Sequence, residues 1–90
     1  MFIFTNFPKS KLSSLNEDLK QTRQQIRRNL YFVASAEAKL CRVDPGGAEF
    51  LELVEQIEKT KDENDNLKIK ELAIMKEIMM IEQEAEHERY

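Results

Sequence analysis

Ninety residues with one cysteine, two glycines, two prolines and no tryptophan make at most one small domain. The lone Cys41 excludes an internal disulfide and any multi-cysteine zinc site, which suits a reducing compartment. Charged residues are 34% of the chain, a composition of long helices and coiled coils rather than of globular enzymes, and no catalytic activity is expected. So short a chain needs a disulfide, a metal or other chains to be stable, and other chains are the help that remains. The net charge of -3 hides an asymmetry: residues 1–47 carry eight Lys/Arg against four Asp/Glu, giving +4, and residues 48–90 carry six against thirteen, giving -7. Opposite halves favour one helix lying beside the other, or each beside a complementary partner.

The opening "MFIFTNFPKSK" is apolar only briefly, with no basic residues ahead and no small-residue cleavage site, so it is expected to be retained rather than removed as a secretory signal. No run approaches the roughly 18 to 20 apolar residues of a membrane span. Phe2, Phe4 and Phe7 crowd just before Pro8. Residues 1–12 are therefore expected to form an extended apolar tail that fills a partner's pocket, with folding onto its own chain as the alternative. Residues 13–90 form the second region, an all-α, coiled-coil-like hairpin of two long helices.

The first helix is expected over about 14–42. "SLNE" at residues 14–17 matches a capping box, in which Ser14 accepts from the Glu17 amide and the Glu17 side chain reaches back. A 3,4 repeat runs through Leu12, Leu15, Leu19, Thr22, Ile26, Asn29, Val33, Ala36, Leu40 and Val43. Asn29 either fixes the register of the seam, as a buried coiled-coil asparagine does, or is a weak spot facing solvent.

"RVDPGGAEF", residues 42–50, holds both glycines and one of the two prolines. Pro45 lacks an amide hydrogen and clashes with the carbonyl four residues back, so no straight helix crosses it. Asp44 caps the next helix with Pro45 as its first residue, and regular helix is expected to firm up at Ala48. A phosphate-cradling loop is not expected, because no strand precedes the glycines, no Lys-Ser/Thr follows, and Asp44 and Glu49 would repel an anion.

The second helix is expected over about 48–90. Its seam is Phe50, Leu53, Ile57, Thr60, Asn64, Leu67, Glu71 as a fault, then Ile74, Ile78, Ile81 and Ala85. "TKDENDN", residues 60–66, is polar, yet it lacks glycine and proline and keeps the phase of the repeat, so helix is favoured over a local break. At about 1.5 Å per residue a first helix of 14–42 covers the second only to about residue 76, leaving an overhang. There "LAIMKEIMMI", residues 72–81, is apolar nearly all round: Leu72, Met75 and Met79 share one side, Met80 and Ala73 a second, and Ile74, Ile78 and Ile81 a third. Such a helix needs cover on every side, from foreign subunits or from self-association. The expected partner-binding residues are Phe2, Phe4, Phe7, Leu72, Met75, Ile78, Met79 and Ile81.

Chemistry finds little footing. Glu84 and His87 stand at the i, i+3 spacing of a di-iron helix, but the first helix offers only Glu17 and Glu37 as further ligands, so no metal or other cofactor is expected. Cys41 has no base within reach in sequence and is expected to pack as a small apolar residue. The basic face Lys20, Arg23, Arg27 and Arg28 has no interleaved aromatics and is expected to meet carboxylates, either Glu52, Glu55 and Glu58 or those of an acidic partner; nucleic acid is not expected.

The last quarter, "LKIKELAIMKEIMMIEQEAEHERY", resembles the terminal helix of small ciliary proteins inside doublet microtubules, with Lys70, Leu72, Ile78, Glu86 and Tyr90 in the family's basic, leucine, glutamate and tyrosine positions. "ELVEQIEKTKDENDNLKIKELA" is similar to a small coiled-coil subunit of the intraflagellar transport machinery. The resemblance implies a cytoplasmic or axonemal, non-catalytic brace lying along tubulin or larger coiled-coil subunits. The expected function is a structural subunit of a larger assembly. The alternative is a homo-oligomeric bundle that binds an acidic partner or nucleic acid through its basic face.

Overall fold

The computed structural model describes the backbone of residues 2–88 and the side chains of residues 11–86. Two helices, α1 (Phe2–Leu40) and α2 (Ala48–Glu88), fold back on each other as an antiparallel hairpin 66 × 19 × 15 Å across. The long dimension is about that of one 41-residue helix at 1.5 Å per residue, so the helices run side by side over nearly their whole length.

All of the buried residues among those described lie on the two 3,4 seams: Thr22, Ile26, Asn29, Val33 and Ala36 on α1, and Leu53, Ile57, Asn64 and Ile74 on α2. Val33, Ala36, Leu53 and Ile57 form one core cluster, against which Leu40 and Val43 pack. Asn29 bonds to Asn64, and this contact sets the register. Stepping outward from it by turns places Leu19, Leu15 and Leu12 against Ile74, Ile78 and Ile81. Helix continues unbroken through residues 60–66. That polar stretch has no backbone reason to break, and Asn64 is its inward-facing member.

At the bend, Gly47 donates its amide to the Asp44 carbonyl at 3.0 Å and Gly46 donates to Asp44 Oδ1 at 3.3 Å. Asp44 thus closes the turn with both its backbone and its side chain, and α2 begins at Ala48 as expected. The described glycines adopt no positive φ. What Gly47 supplies is room, since a Cβ there would stand 3.3 Å from the Asp44 carbonyl oxygen.

Several expectations are corrected. α1 begins at Phe2, ahead of the expected Ser14. Between Pro8 and Ser14 there is neither glycine nor proline, and nothing obliges the ladder to stop at the serine. α1 ends at Leu40, two residues early, because the chain turns through residues 41–43 with the Arg42 amide bonded to the Lys39 carbonyl. Cys41 falls in that turn and is exposed rather than packed. With α1 this long there is no overhang: residues 72–81 lie alongside α1, and Ile74 is buried there.

Candidate interaction surfaces

The seam contains a polar layer whose hydrogen bonds are made. Asn29 Nδ2 donates to Asn64 Oδ1 at 2.8 Å, Asn64 Nδ2 donates to the Ile26 carbonyl at 3.3 Å, and Gln25 Nε2 donates to Asn29 Oδ1 at 3.1 Å. Both asparagines are more than nine-tenths buried, and no buried side-chain polar atom among the described residues lacks a partner. Of the two readings of Asn29, the buried register-fixing one holds. A one-turn slip of one helix past the other would leave these amides in an apolar layer, at a cost of about 1–3 kcal/mol for each unsatisfied group. Thr22, also buried, donates its hydroxyl to the Asp18 carbonyl at 2.8 Å and makes no demand on α2.

Glu71, the fault in the apolar repeat, is half-buried and takes Arg23 as its partner, with Nε to Oε2 at 2.8 Å. Arg23 Nη2 lies 3.6 Å from Met75 Sδ. The carboxylate expected for the basic face therefore differs: the register sets Glu52, Glu55 and Glu58 near the bend, far along the hairpin from Arg23. Lys20, Arg27 and Arg28 are exposed. The second interhelical ion pair, Lys61 to Glu37 at 3.6 Å, is exposed on both sides and contributes little.

The apolar collar divides. Ile74, Ile78 and Ile81 turn toward α1, the first buried and the other two half-buried. Leu72 at 65% exposure, Met79 at 58% and Met75 at 37% face outward, flanked by exposed Ile69 and Met80. Of the residues expected to bind partners, Leu72, Met75 and Met79 thus come together on one outer face, while Ile78 and Ile81 belong to the hairpin's own seam. The side chains of Phe2, Phe4 and Phe7 lie outside the described residues.

A second exposed apolar group was missed in the sequence. Leu30, Tyr31 and Phe32 are exposed on α1, Tyr31 by 80%. The signal was available: three consecutive large residues span about 200° of a helix, so they cannot share one seam. Phe32 borders a notch of about 100 Å³ lined with Ser35, Ala36, Lys39, Leu53 and Gln56. Along the hairpin axis this group stands about 20 Å from Met75, by the register and the rise per residue.

Among the described residues no three or more His, Cys, Asp or Glu side chains gather as a metal site, and no helix is long and apolar enough to cross a membrane. No protein-family model matches the chain, and no curated protein or solved structure matches it.

Proposed function

We propose that this chain is a non-catalytic structural subunit that braces a larger protein assembly through helix pairing and apolar contacts. The observation that carries this reading is the exposed row Leu72, Met75 and Met79 beside a seam that is already closed. The hairpin satisfies its own seam, including the buried asparagines, so these side chains are not needed to hold the two helices together. Apolar area left in water forgoes about 25 cal/mol per Å² and invites association. The group at Leu30, Tyr31 and Phe32, on the other helix, gives a second contact station. Two stations on a rod suit a part that links neighbours. The resemblance to ciliary coiled-coil proteins supports a microtubule-associated setting for that assembly.

The test is size fractionation of native extract containing the tagged chain. Wild type is expected in a large fraction with a fixed set of stoichiometric partners. Met75→Asp with Met79→Asp, two changes outside the buried seam whose folding is checked by helix content, is expected to move the chain to the free fraction. Unchanged co-sedimentation of this variant would defeat the reading.

A further inference from the structure

Placed at about 100° per residue, Lys68, Leu72, Met75, Met79 and Glu82 of α2 share one arc of roughly 80° beside the seam. The spacing is 4, 3, 4, 3, and the order is cation, three apolar side chains, anion. About Met75 the stripe is symmetric in character, with an apolar side chain one turn away on each side, Leu72 and Met79, and a charged one two turns away, and the two charged ends are of opposite sign. A surface of that kind is complementary to itself when two copies meet antiparallel. Met75 then meets Met75 of the second copy on the two-fold axis, Leu72 meets its Met79, and Lys68 meets its Glu82. In a parallel pairing Lys68 would face Lys68 and Glu82 would face Glu82, so the charges select the antiparallel arrangement.

A feature of α1 points the same way. Arg23, Arg27 and Lys68 surround a depression of about 320 Å³ floored by Ile26 and Glu71. Glu71 is taken up by Arg23 at 2.8 Å, which leaves Arg27 and Lys68, both exposed, as the cations in excess. The depression lies at the Lys68 end of the stripe, where the antiparallel arrangement delivers Glu82 of the second copy and, a turn further on, its Glu86. Asp65, on the far side of Lys68, is like-charged with that Glu86 and bounds the favourable stretch.

We infer that the occupant of this face is a second copy of the chain, and that two hairpins join through α2 into a two-fold, antiparallel four-helix body. The inference rests on the bracing reading and names the first partner in it: the brace enters its assembly only as a dimer, so that breaking the Leu72, Met75 and Met79 face releases it, and Leu30, Tyr31 and Phe32 of each copy meet the other subunits. The stripe is only about 21 Å long, so the interface falls at the small end for specific contacts and the dimer is of roughly micromolar strength.

Sedimentation equilibrium of the purified full chain, over about two decades of concentration around 10 µM, decides the matter. The mass is expected to rise from 10.6 kDa toward twice that value. Lys68→Glu alone and Glu82→Lys alone each spoil two symmetry-related contacts and are expected to weaken the dimer by about tenfold or more. Combining both changes in one chain, or mixing the two single variants, restores opposite charges between positions 68 and 82 and is expected to recover much of the dimer, with Arg27 the one cation left facing a like charge. Both positions are exposed, and helix content by circular dichroism checks that the variants fold. A wild type that stays monomeric across the range, or a dimer indifferent to these charge changes, would overturn the inference. Should the chain be monomeric while Met75→Asp with Met79→Asp still releases it from its assembly in extract, self-pairing fails and the bracing reading stands. A charge-sensitive dimer whose Met75→Asp, Met79→Asp variant stays in the assembly supports self-pairing and defeats the bracing reading.

Discussion

The two ends of the hairpin solve the same packing problem differently. Near the bend, α2 directs Leu53 and Ile57 inward against Val33 and Ala36, and its outer surface carries Glu52, Glu55, Glu58 and Lys59, with Leu51 as its exposed large apolar residue. Toward the open end the seam admits Glu71, its isoleucines at 78 and 81 are only half-buried, and Ile69, Leu72, Met75, Met79 and Met80 stand outside. At the bend end α2 keeps its apolar side chains for the core, and the exposed apolar group there, Leu30, Tyr31 and Phe32, belongs to α1. The open end has apolar side chains to spare on a surface that α1 touches at Met75, through Arg23, and leaves largely uncovered, and this excess is what the proposed bracing contact would use.

The sharpest way to break this comparison is to empty the seam at each end. Ile57 is 6% exposed within the core cluster, and Ile57→Ala is expected to cost about 2–4 kcal/mol of unfolding free energy. Ile78→Ala, at a half-buried position, is expected to cost about half as much, since less of its side chain leaves an apolar environment. Urea unfolding followed by circular dichroism at one protein concentration measures both. Equal losses would mean that the two ends are equally well packed and that the contrast drawn from exposure is false.

Between the ends sits the asparagine layer. Asn64→Ala removes the acceptor of Asn29 Nδ2 and leaves that amide buried, at an expected cost of about 1–3 kcal/mol. Replacing both, Asn29→Leu with Asn64→Leu, is expected to raise stability by about 1–2 kcal/mol while admitting higher oligomers, because an all-apolar seam no longer specifies register or partner number. Urea unfolding gives the first quantity and sedimentation the second. A doubly substituted chain less stable than wild type would show that the amide layer contributes net stability rather than specificity.

Much of this was legible from residue spacing. The 3,4 repeats name all of the buried positions among the described residues, because a helix of fixed pitch has no other way to present a continuous face to one neighbour. Pro45 and Gly46 with Gly47 mark the bend for reasons of backbone chemistry alone. The pairing across the seam was not legible. That Asn29 meets Asn64 and Arg23 meets Glu71 is a matter of register, and reading it from the sequence needs the end of α1, where two residues of error displace each expected partner by half a turn. The start of α1 was misread because a good capping sequence is only an opportunity to stop. Tyr31 and Phe32 stand outside the 3,4 repeat, which marks only residues that can enter the seam, and Tyr31 is the most exposed large apolar side chain among the described residues.

The smallest expected effect tests the bend itself. Neither glycine there has a positive φ, so neither is required for a left-handed conformation. At Gly46 an added Cβ meets only Asp44 Oδ1, at 4.0 Å, whereas at Gly47 it would stand 3.3 Å from the Asp44 carbonyl oxygen that accepts the Gly47 amide. Alanine at either position restricts the unfolded chain, which is worth about 0.4–1 kcal/mol where the native backbone accommodates it. Gly46→Ala should realise that gain and raise the melting temperature by a few degrees, by the usual scaling for a domain of about this size. Gly47→Ala should realise less or none, because the closing hydrogen bond and the new methyl group compete for the same few tenths of an ångström. A larger gain at Gly47 than at Gly46 would mean that the turn yields easily, and that the hairpin is held closed by its seam rather than by Asp44.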